Sequence, residues 1–338
     1  MSAPLSCIIG LTGARLSKSE SLFLRDANPW GVILFSRNVK DRDQLRKLTG
    51  DIRDAMGRNT LIFVDQEGGR VQRLKAPNWR PYPSGDDYAS IYRRDKIIGK
   101  RVCYLGHRLI ADDLRAVGIT SDCAPVLDLP QPGADPIISD RALGTDVMDI
   151  VEMAHSAMAG LMAGGVAPVV KHIPGHGRAT VDSHKALPKI DANREILEKS
   201  DFLPFRKLYD APMAMTAHAV YTHSSRTAVT ISRKSLVELV RAAIGFDGLL
   251  MSDDLDMKAL TGDLTRKTQR ALNAGCDIAL QCSGRLADSV KVAKGSQTLS
   301  GRALGRAIIA ENCAEHVTNF SRIEAEAEFD ELLRQFSK

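Results

Sequence analysis

The sequence predicts an α/β fold, a single (β/α)8 TIM barrel. Eight short apolar runs rich in β-branched residues recur along the chain, and each is followed by a polar or glycine-bearing turn and then by a helical pattern. Runs that are hydrophobic almost throughout are typical of parallel strands covered on both faces. Eight strand–helix units indicate a closed barrel. The alternative is an open doubly wound sheet, which usually has fewer strands and often a glycine fingerprint, and Gly10 and Gly13 match that fingerprint too weakly.

The eight predicted strands can be placed in chain order. They cover residues 7–11, 31–35, 61–65, 122–128, 168–172, 212–217, 248–253 and 277–281. Between them, apolar residues recur at helical spacing, which predicts helices over 98–117, 147–161, 193–208 and 232–244. Gly118 is the expected C-cap of the first of these helices. The acidic stretch 323–336 predicts a C-terminal helix.

The chain is expected to form one domain over residues 1–338, with a C-terminal helical extension over about 302–338. A length of 338 residues allows one large α/β domain or two ordinary ones. No linker rich in Pro, Gly or Ser divides the sequence, and no tandem repeat occurs. The proline-rich segment 75–85 is expected to be a loop inside the domain.

Composition narrows the class of protein. An apolar content of 44% and a charged content of 26% are typical of a soluble globular chain. The formal charge of +5 comes without a basic run or basic–aromatic stripe, so a nucleic-acid partner is not expected and a small-molecule substrate is. No membrane-spanning run or secretory signal is found, which favours a cytoplasmic protein, and we expect a monomer. The six scattered cysteines indicate reduced thiols.

Polar side chains follow the predicted strands where each strand ends, which is where a TIM barrel carries its active site. These strand-end residues are Asp65, Asp128, Lys171, His172, His218, Asp253 and Asp254.

The stretch KHIPGHGRATVDSH, residues 171–184, has three interpretations. A solvated loop with turn glycines is the simplest of them. A metal site would use the histidines, but Pro174 opposes the helix that would bring His172 and His176 onto one face, and no His-Glu-x-x-His pattern occurs. Acid–base chemistry is the third. Asp182 and His184 can point the same way in an extended segment, so the carboxylate could fix the imidazole tautomer.

The stretch MSDDLDM, residues 251–257, places two acids at the end of a buried strand. Either Asp253 or Asp254 could cap a helix carrying residues 255–260, and this is the simpler interpretation for Asp254. For Asp253, the last residue of the predicted strand, a position in the barrel mouth is favoured, and a carboxylate there could act as a nucleophile.

Together these motifs resemble the family 3 glycoside hydrolases. The matching stretches are GVILFSRN, DQEGGRVQR, APVLDL, DRALG, KHIPGHG with DSH, SDDLDM and AGCDIALQCS. They extend in order from Ile9 to about Cys282 without a large insertion. Within that family the chain is similar to the single-domain bacterial β-N-acetylglucosaminidases of peptidoglycan recycling, the NagZ type.

The resemblance implies a retaining two-step mechanism without metal or cofactor. It assigns Asp253 as the nucleophile, His184 as the general acid and then base, and Asp182 as the partner that orients His184. It also implies that five residues bind N-acetylglucosamine in the −1 pocket. These are Asp65, Arg73, Arg141, Lys171 and His172.

From the residues alone, some of these positions have simpler interpretations. Arg141 would form a surface ion pair with Asp140 or Asp146, and Arg73 would lie on a solvated helix face. Arg178 departs from the common family pattern, which raises the prospect of a contact with an anionic aglycone or an altered loop. His218 is expected only to support the site.

The implied function is removal of non-reducing terminal N-acetylglucosamine from 1,6-anhydro-muropeptides. Three alternatives remain open at this point. A glycoside phosphorylase would use phosphate in place of water in the second step. A metal-dependent amidohydrolase barrel would use His172, His176 and His184. A sugar-binding protein on an inactive barrel would bind without turnover.

Overall fold

The structure, a computed structural model, describes residues 3–336. The strands are β1 (Leu5–Gly10), β2 (Pro29–Leu34), β3 (Leu61–Val64), β4 (Ser121–Asp122), β5 (Ala167–Ile173), β6 (Lys189–Ile190), β7 (Met213–Thr216), β8 (Val220–Tyr221), β9 (Leu249–Asp254) and β10 (Ile278–Gln281). Strands β6 and β8 pair outside the barrel, and the other eight close into a ring in the order β1, β2, β3, β4, β5, β7, β9, β10. All neighbours in the ring are parallel, so the predicted barrel is confirmed.

The hydrophobic runs reflect packing on both faces of the barrel wall. In β1, Ile8 belongs to the cluster that fills the barrel and Ile9 to the cluster between the wall and the helices. In β2 the same alternation separates Ile33 from Val32. All four side chains are fully buried. A strand with no solvent-facing side needs no polar alternation, which is why periodicity of two is missing from the sequence.

Helices surround the barrel. They are α1 (Lys18–Ala27), α2 (Arg42–Met56), α3 (Gly85–Arg94), α4 (Lys96–Arg115), α5 (Val147–Ala163), α6 (Arg194–Lys199), α7 (Leu203–Lys207), α8 (Arg233–Ser235) with its π-helical continuation (Leu236–Ile244), α9 (Leu264–Ala274), α10 (Leu286–Gly295), α11 (Gly301–Asn312) and α12 (Arg322–Phe336). Side-chain caps mark several starts, among them the Ser17–Glu20 capping box of α1 and the Asp95 cap of α4. The C-cap of α4 is Ala116, and not Gly118 as expected. Gly118 lies two residues further on with a φ of 77°, the left-handed conformation that favours glycine.

Two predicted elements are shorter than expected. The single helix over 193–208 is instead α6 and α7, separated at Ser200, because Pro204 cannot donate a backbone hydrogen bond and starts a new helix. The strand over 122–128 is paired regularly only in β4. Pro125 lacks the N–H needed to continue a ladder, and beyond it only Val126 bridges β5.

The C-terminal helices cover two parts of the barrel. Ala307 and Ala310 of α11 join the cluster that fills the barrel, and the N–H of Trp30 in β2 donates to Glu311 at 2.7 Å. Phe329 of α12 is fully buried and packs 6.5 Å from the Tyr82 ring, centroid to centroid. Positions 337 and 338 of the predicted extension lie outside the described residues. Among residues 3–336, no helix is both long and apolar enough to cross a bilayer.

Candidate active site

A pocket opens at the carboxyl ends of the barrel strands. Seven of the eight predicted site residues line it: Asp65, Arg73, Arg141, Lys171, His172, His184 and Asp253. Asp182, the eighth predicted residue, does not line the pocket itself but contacts His184, which does. Glu67, His176 and Asp254 also line the pocket. The structure thus brings together residues that are far apart in the sequence.

Asp65 is held by two cations. Arg73 donates to Oδ2 at 2.8 Å, and Lys171 donates from Nζ to Oδ1 at 3.0 Å. Burial tends to raise the pKa of Asp65, but Lys171 and Arg73 outweigh it and hold that pKa well below its usual range. Arg73 therefore lies in a bend against Asp65, and its interpretation as part of a solvated helix face is wrong.

Glu67 is a site residue that the sequence analysis missed. Arg141 grips both of its oxygens, at 2.7 and 2.8 Å, and Lys171 Nζ lies 2.6 Å from Oε1. Burial alone would raise the pKa of Glu67, yet Lys171 and Arg141 keep it below the usual value. The expected surface pairing of Arg141 with Asp140 or Asp146 is wrong, because the planar guanidinium fits the buried carboxylate in a bidentate pair.

Lys171 joins the two carboxylates into a single cluster. Its side chain is 2% exposed and contacts both Asp65 and Glu67. Burial lowers the pKa of a lysine, but these two carboxylates outweigh burial and raise it above the usual value. The ammonium is therefore a fixed positive charge at the base of the pocket. The spacing of Asp65 and Glu67 could have indicated this cluster. The two acids are two residues apart in an extended segment, so their side chains point the same way.

Asp128 organises the next part of the wall. Its Oδ2 lies 2.6 Å from His172 Nδ1, and its Oδ1 accepts from the backbone N–H of His172 at 3.2 Å and of His176 at 2.6 Å. A carboxylate beside Nδ1 fixes the proton there, so Nε2 of a neutral His172 is left as an acceptor. The sequence predicts Asp128 only as an acid at a strand end, and its contacts with His172 and His176 appear only in the structure.

Asp253 is the next-to-last residue of β9 and lies near His218 and His172. Burial would raise the pKa of Asp253, but His218, His172 and the N–H of Asp254, which donates at 2.8 Å, together lower it. The carboxylate is therefore ionised in the pocket. His218 itself is fully buried behind this strand, with Nε2 donating to Asp254 O at 3.0 Å and Nδ1 lying 2.8 Å from Thr230 Oγ1.

Asp254 does not cap a helix, so that interpretation is wrong. Residues 255–260 form turns, and α9 begins only at Leu264, capped by Asp263. The Oδ1 of Asp254 instead accepts from the N–H groups of Asp256 and Cys282, each at 3.0 Å. Burial raises the pKa of Asp254 to about 6.

The loop after β5 carries Asp182 and His184. Nδ1 of His184 lies 2.8 Å from Asp182 Oδ1, and the same oxygen accepts from the backbone N–H of His184 at 2.8 Å. Burial tends to raise the pKa of Asp182, but these two hydrogen bonds outweigh it and lower the pKa. The imidazole is 62% exposed and the carboxylate 11%. The pairing fixes the Nδ1 proton and leaves Nε2 to exchange protons.

Arg178 does not line the pocket. Its Nε donates to Asp201 Oδ2 at 2.7 Å, and its Nη2 donates to Ser200 Oγ at 3.2 Å. Asp201 is almost fully buried. Arg178 thus anchors the loop to the break between α6 and α7. Within residues 3–336, no three His, Cys, Asp or Glu side chains are placed to hold one metal ion.

Comparison with known proteins gives the family. The Glycosyl hydrolase family 3 N terminal domain matches residues 8–314. The chain belongs to glycoside hydrolase family 3. It is 39% identical to a β-hexosaminidase of Alkalilimnicola ehrlichii over 280 residues, which cover 82% of this chain and 80% of that protein. A β-hexosaminidase of Tolumonas auensis is 36% identical over 86% of both chains.

Solved structures agree with this family. NagZ from Neisseria gonorrhoeae, in complex with N-trifluoroacetyl-D-glucosamine, superposes with a TM-score of 0.85 at 28% identity, covering 99% of this chain and 98% of that chain. A family 3 β-N-acetylglucosaminidase from Paenibacillus sp. str. FPU-7 gives a TM-score of 0.86 at 26% identity, covering 98% and 66%. The predictions of a glycoside hydrolase and of a relative of the β-hexosaminidases and NagZ enzymes are confirmed.

Proposed function

We propose that this protein is a retaining exo-β-N-acetylglucosaminidase that removes non-reducing terminal N-acetylglucosamine from 1,6-anhydro-muropeptides in peptidoglycan recycling. The observation that carries the proposal is an ionised carboxylate, Asp253, in the same pocket as an imidazole held by Asp182. Similarity to enzymes named β-hexosaminidase and NagZ supports the sugar. A monomer acting in the cytoplasm is part of the same proposal.

In the first step, Asp253 bonds to the anomeric carbon while the bond to the leaving oxygen breaks. Protonated His184 gives its Nε2 proton to that oxygen, so the aglycone departs as a neutral alcohol. In the second step, water attacks the same carbon, gives its proton to His184, and releases the sugar from Asp253. Two inversions at one carbon retain the anomeric configuration. Asp182 orients the imidazole and stabilises its charged form.

The strand-end cluster supplies the groups that would hold the sugar. Asp65 can accept from a sugar hydroxyl, while Arg73, Arg141 and Lys171 can donate to hydroxyls and to the N-acetyl carbonyl. His172 can present Nε2 to the sugar, since Asp128 binds its Nδ1. Because the donors and acceptors are already paired with one another, the cluster is preorganised before sugar arrives.

Trapping the covalent intermediate tests the proposal. Incubation with a 5-fluoro N-acetylglucosaminyl fluoride, followed by peptide mapping, is expected to place the label on Asp253. Release of the amino sugar with inverted configuration, or a label on another residue, would contradict the mechanism.

Turnover of a nitrophenyl β-N-acetylglucosaminide with and without phosphate distinguishes a hydrolase from a phosphorylase, which would release the sugar 1-phosphate. Loss of activity with chelator and its return with zinc would favour the amidohydrolase alternative.

Asp253→Asn is expected to reduce kcat by on the order of 10³–10⁵-fold, as removal of a nucleophile or its partner does in other hydrolases. Binding of N-acetylglucosamine, measured by calorimetry, should stay within a few-fold of wild type. Asp256→Asn, in the turn that follows β9, is the matched control, because that carboxylate pairs with the exposed Arg285. Similar kcat losses in both variants would remove the special role of Asp253.

A further inference from the structure

The backbone on both sides of His176 fixes the position of this residue in the pocket wall. Gly175 before it has a φ of 135°, which a residue with a side chain rarely adopts. A Cβ on Gly177 after it would lie 1.9 Å from the carbonyl oxygen of Leu129. The backbone N–H of His176 donates to Asp128 at 2.6 Å. Two glycines and a buried carboxylate therefore fix the backbone position of His176.

The ring that they position makes no hydrogen bond in the described part of the chain. His176 is 4% exposed, and both Nδ1 and Nε2 are buried without a partner. The other buried histidines all use a ring nitrogen: His107 with Cys103 O at 2.8 Å, and His172 and His218 as given above. Leaving buried polar groups unpaired costs free energy. A ligand that forms a hydrogen bond with His176 would therefore remove this cost.

The surroundings indicate what kind of partner fits. Burial, with a smaller contribution from His172, lowers the pKa of His176 to about 4, so the ring is neutral near pH 7. A neutral imidazole offers one N–H donor and one acceptor. Its charged neighbours are of both signs, Arg141 on one hand and Asp128 and Asp253 on the other. A group that can both donate and accept without net charge suits this position, and a sugar hydroxyl is such a group.

We propose that His176 is a further substrate-contacting residue, whose ring nitrogen hydrogen-bonds a hydroxyl of the amino sugar in the pocket. The inference rests on the proposed function for the identity of that sugar. Since no hydrogen bond fixes the ring, a half-turn about its Cβ–Cγ bond exchanges each nitrogen with a ring carbon at little cost. That turn, or a small shift of the side chain, would bring a nitrogen to the pocket edge of the ring when sugar binds.

The first test compares activity with stability. His176→Phe keeps an aromatic ring and removes both nitrogens, so kcat/KM on an aryl β-N-acetylglucosaminide should fall about 10–100-fold. The melting temperature should stay the same or rise by up to about 3 °C, because two unpaired buried nitrogens are lost. His176→Gln, which retains a donor and an acceptor, should recover most of the activity. A drop in melting temperature in both variants, or wild-type activity in both, would overturn the inference.

The second test identifies the hydroxyl. Aryl glycosides of the 3-deoxy, 4-deoxy and 6-deoxy amino sugar are compared on wild type and His176→Phe. For one analogue the two losses should not add, because each removes the same hydrogen bond. If the losses add for all three analogues, the ring does not bind a sugar hydroxyl and the inference is overturned. Losses that fail to add between His176→Phe and Ser183→Ala, which alters another lining residue, would then indicate that the ring binds the loop instead.

These outcomes are separable from failure of the proposed function. If wild type prefers another aryl β-glycoside, the proposed substrate is wrong, and the same comparison is made with deoxy forms of the preferred sugar. If wild type cleaves the N-acetylglucosaminide and His176→Phe is unimpaired, the function stands and the role of His176 does not.

Discussion

The strand-end cluster around Lys171 and the loop pair Asp182–His184 serve the same pocket, but they differ in burial and in the chain that separates their partners. Lys171 is 2% exposed and binds Asp65, 106 residues away. His184 is 62% exposed and binds an aspartate two residues away. The cluster depends on closure of the barrel, whereas the pair can form within its own loop.

The difference suits two tasks. A sugar held for an in-line displacement needs donors and acceptors that do not move, and paired charges on barrel strands provide them. A proton donor must reach the leaving oxygen and later receive a proton from water, which an exposed imidazole on a loop can do. The comparison predicts that changes in the cluster affect folding and activity together, and changes in the pair affect activity alone.

Lys171→Met should give the largest effect. The substitution leaves the buried carboxylates of Asp65 and Glu67 without their shared cation, so the free energy of unfolding should fall by about 3–5 kcal/mol. Turnover should also be lost. Urea unfolding and aryl glycoside kinetics measure the two quantities. Lys185→Met is the control, because Lys185 is 79% exposed, and it should leave stability unchanged. A stable Lys171→Met protein would show that the cluster is not needed for folding.

His184→Ala should separate activity from stability. We expect a loss of about 10²–10⁴-fold in kcat on substrates with poor leaving groups, and a much smaller loss on activated aryl glycosides that depart without a proton. The free energy of unfolding should change by less than about 0.5 kcal/mol, because the side chain is exposed. Equal kinetic losses on both substrate types would contradict the proton-donor role.

The same contrast explains what the sequence could predict. The Asp182–His184 pair was recognised because a spacing of two residues suffices to propose the contact, and the barrel because eight buried strands leave a local pattern. The partners of Glu67 were missed because Arg141 lies 74 residues away and its neighbours Asp140 and Asp146 offered a simpler pairing. The site roles taken from the family resemblance stay predictions, which the variants described here test.

Asp122 provides a smaller test within the buried region. Its Oδ1 accepts from the Gln66 N–H at 2.9 Å, its Oδ2 has no partner among the described residues, and burial raises its pKa to about 7. A carboxyl whose pKa is raised by folding binds more protons in the native state, so its contribution to stability falls as pH rises from about 4 to about 7.

Asp122→Asn removes that titration. Relative to wild type, the variant should therefore gain about 1–3 kcal/mol of unfolding free energy between pH 5 and pH 8. Urea unfolding at the two pH values measures the gain. Asp140→Asn, at an exposed position, is the control. Its unfolding free energy should differ from that of wild type by the same amount at both pH values. A constant difference for Asp122→Asn would mean that Asp122 does not titrate in this range.

Arg178 lies in the segment of chain that connects the two regions, between His176 and Asp182, and it ties that segment to Asp201. Arg178→Ala leaves a buried carboxylate without its cation, so stability should fall by about 1–2 kcal/mol and kcat/KM by a few-fold as the loop loosens. Because Arg178 does not line the pocket, the kinetic loss should be the same for a neutral aryl glycoside and an anionic muropeptide. Arg194→Ala, in an exposed helical pair, is the control. A loss confined to the anionic substrate would restore the aglycone contact suggested by the sequence, and the loop would then have to move far enough to carry Arg178 into the pocket.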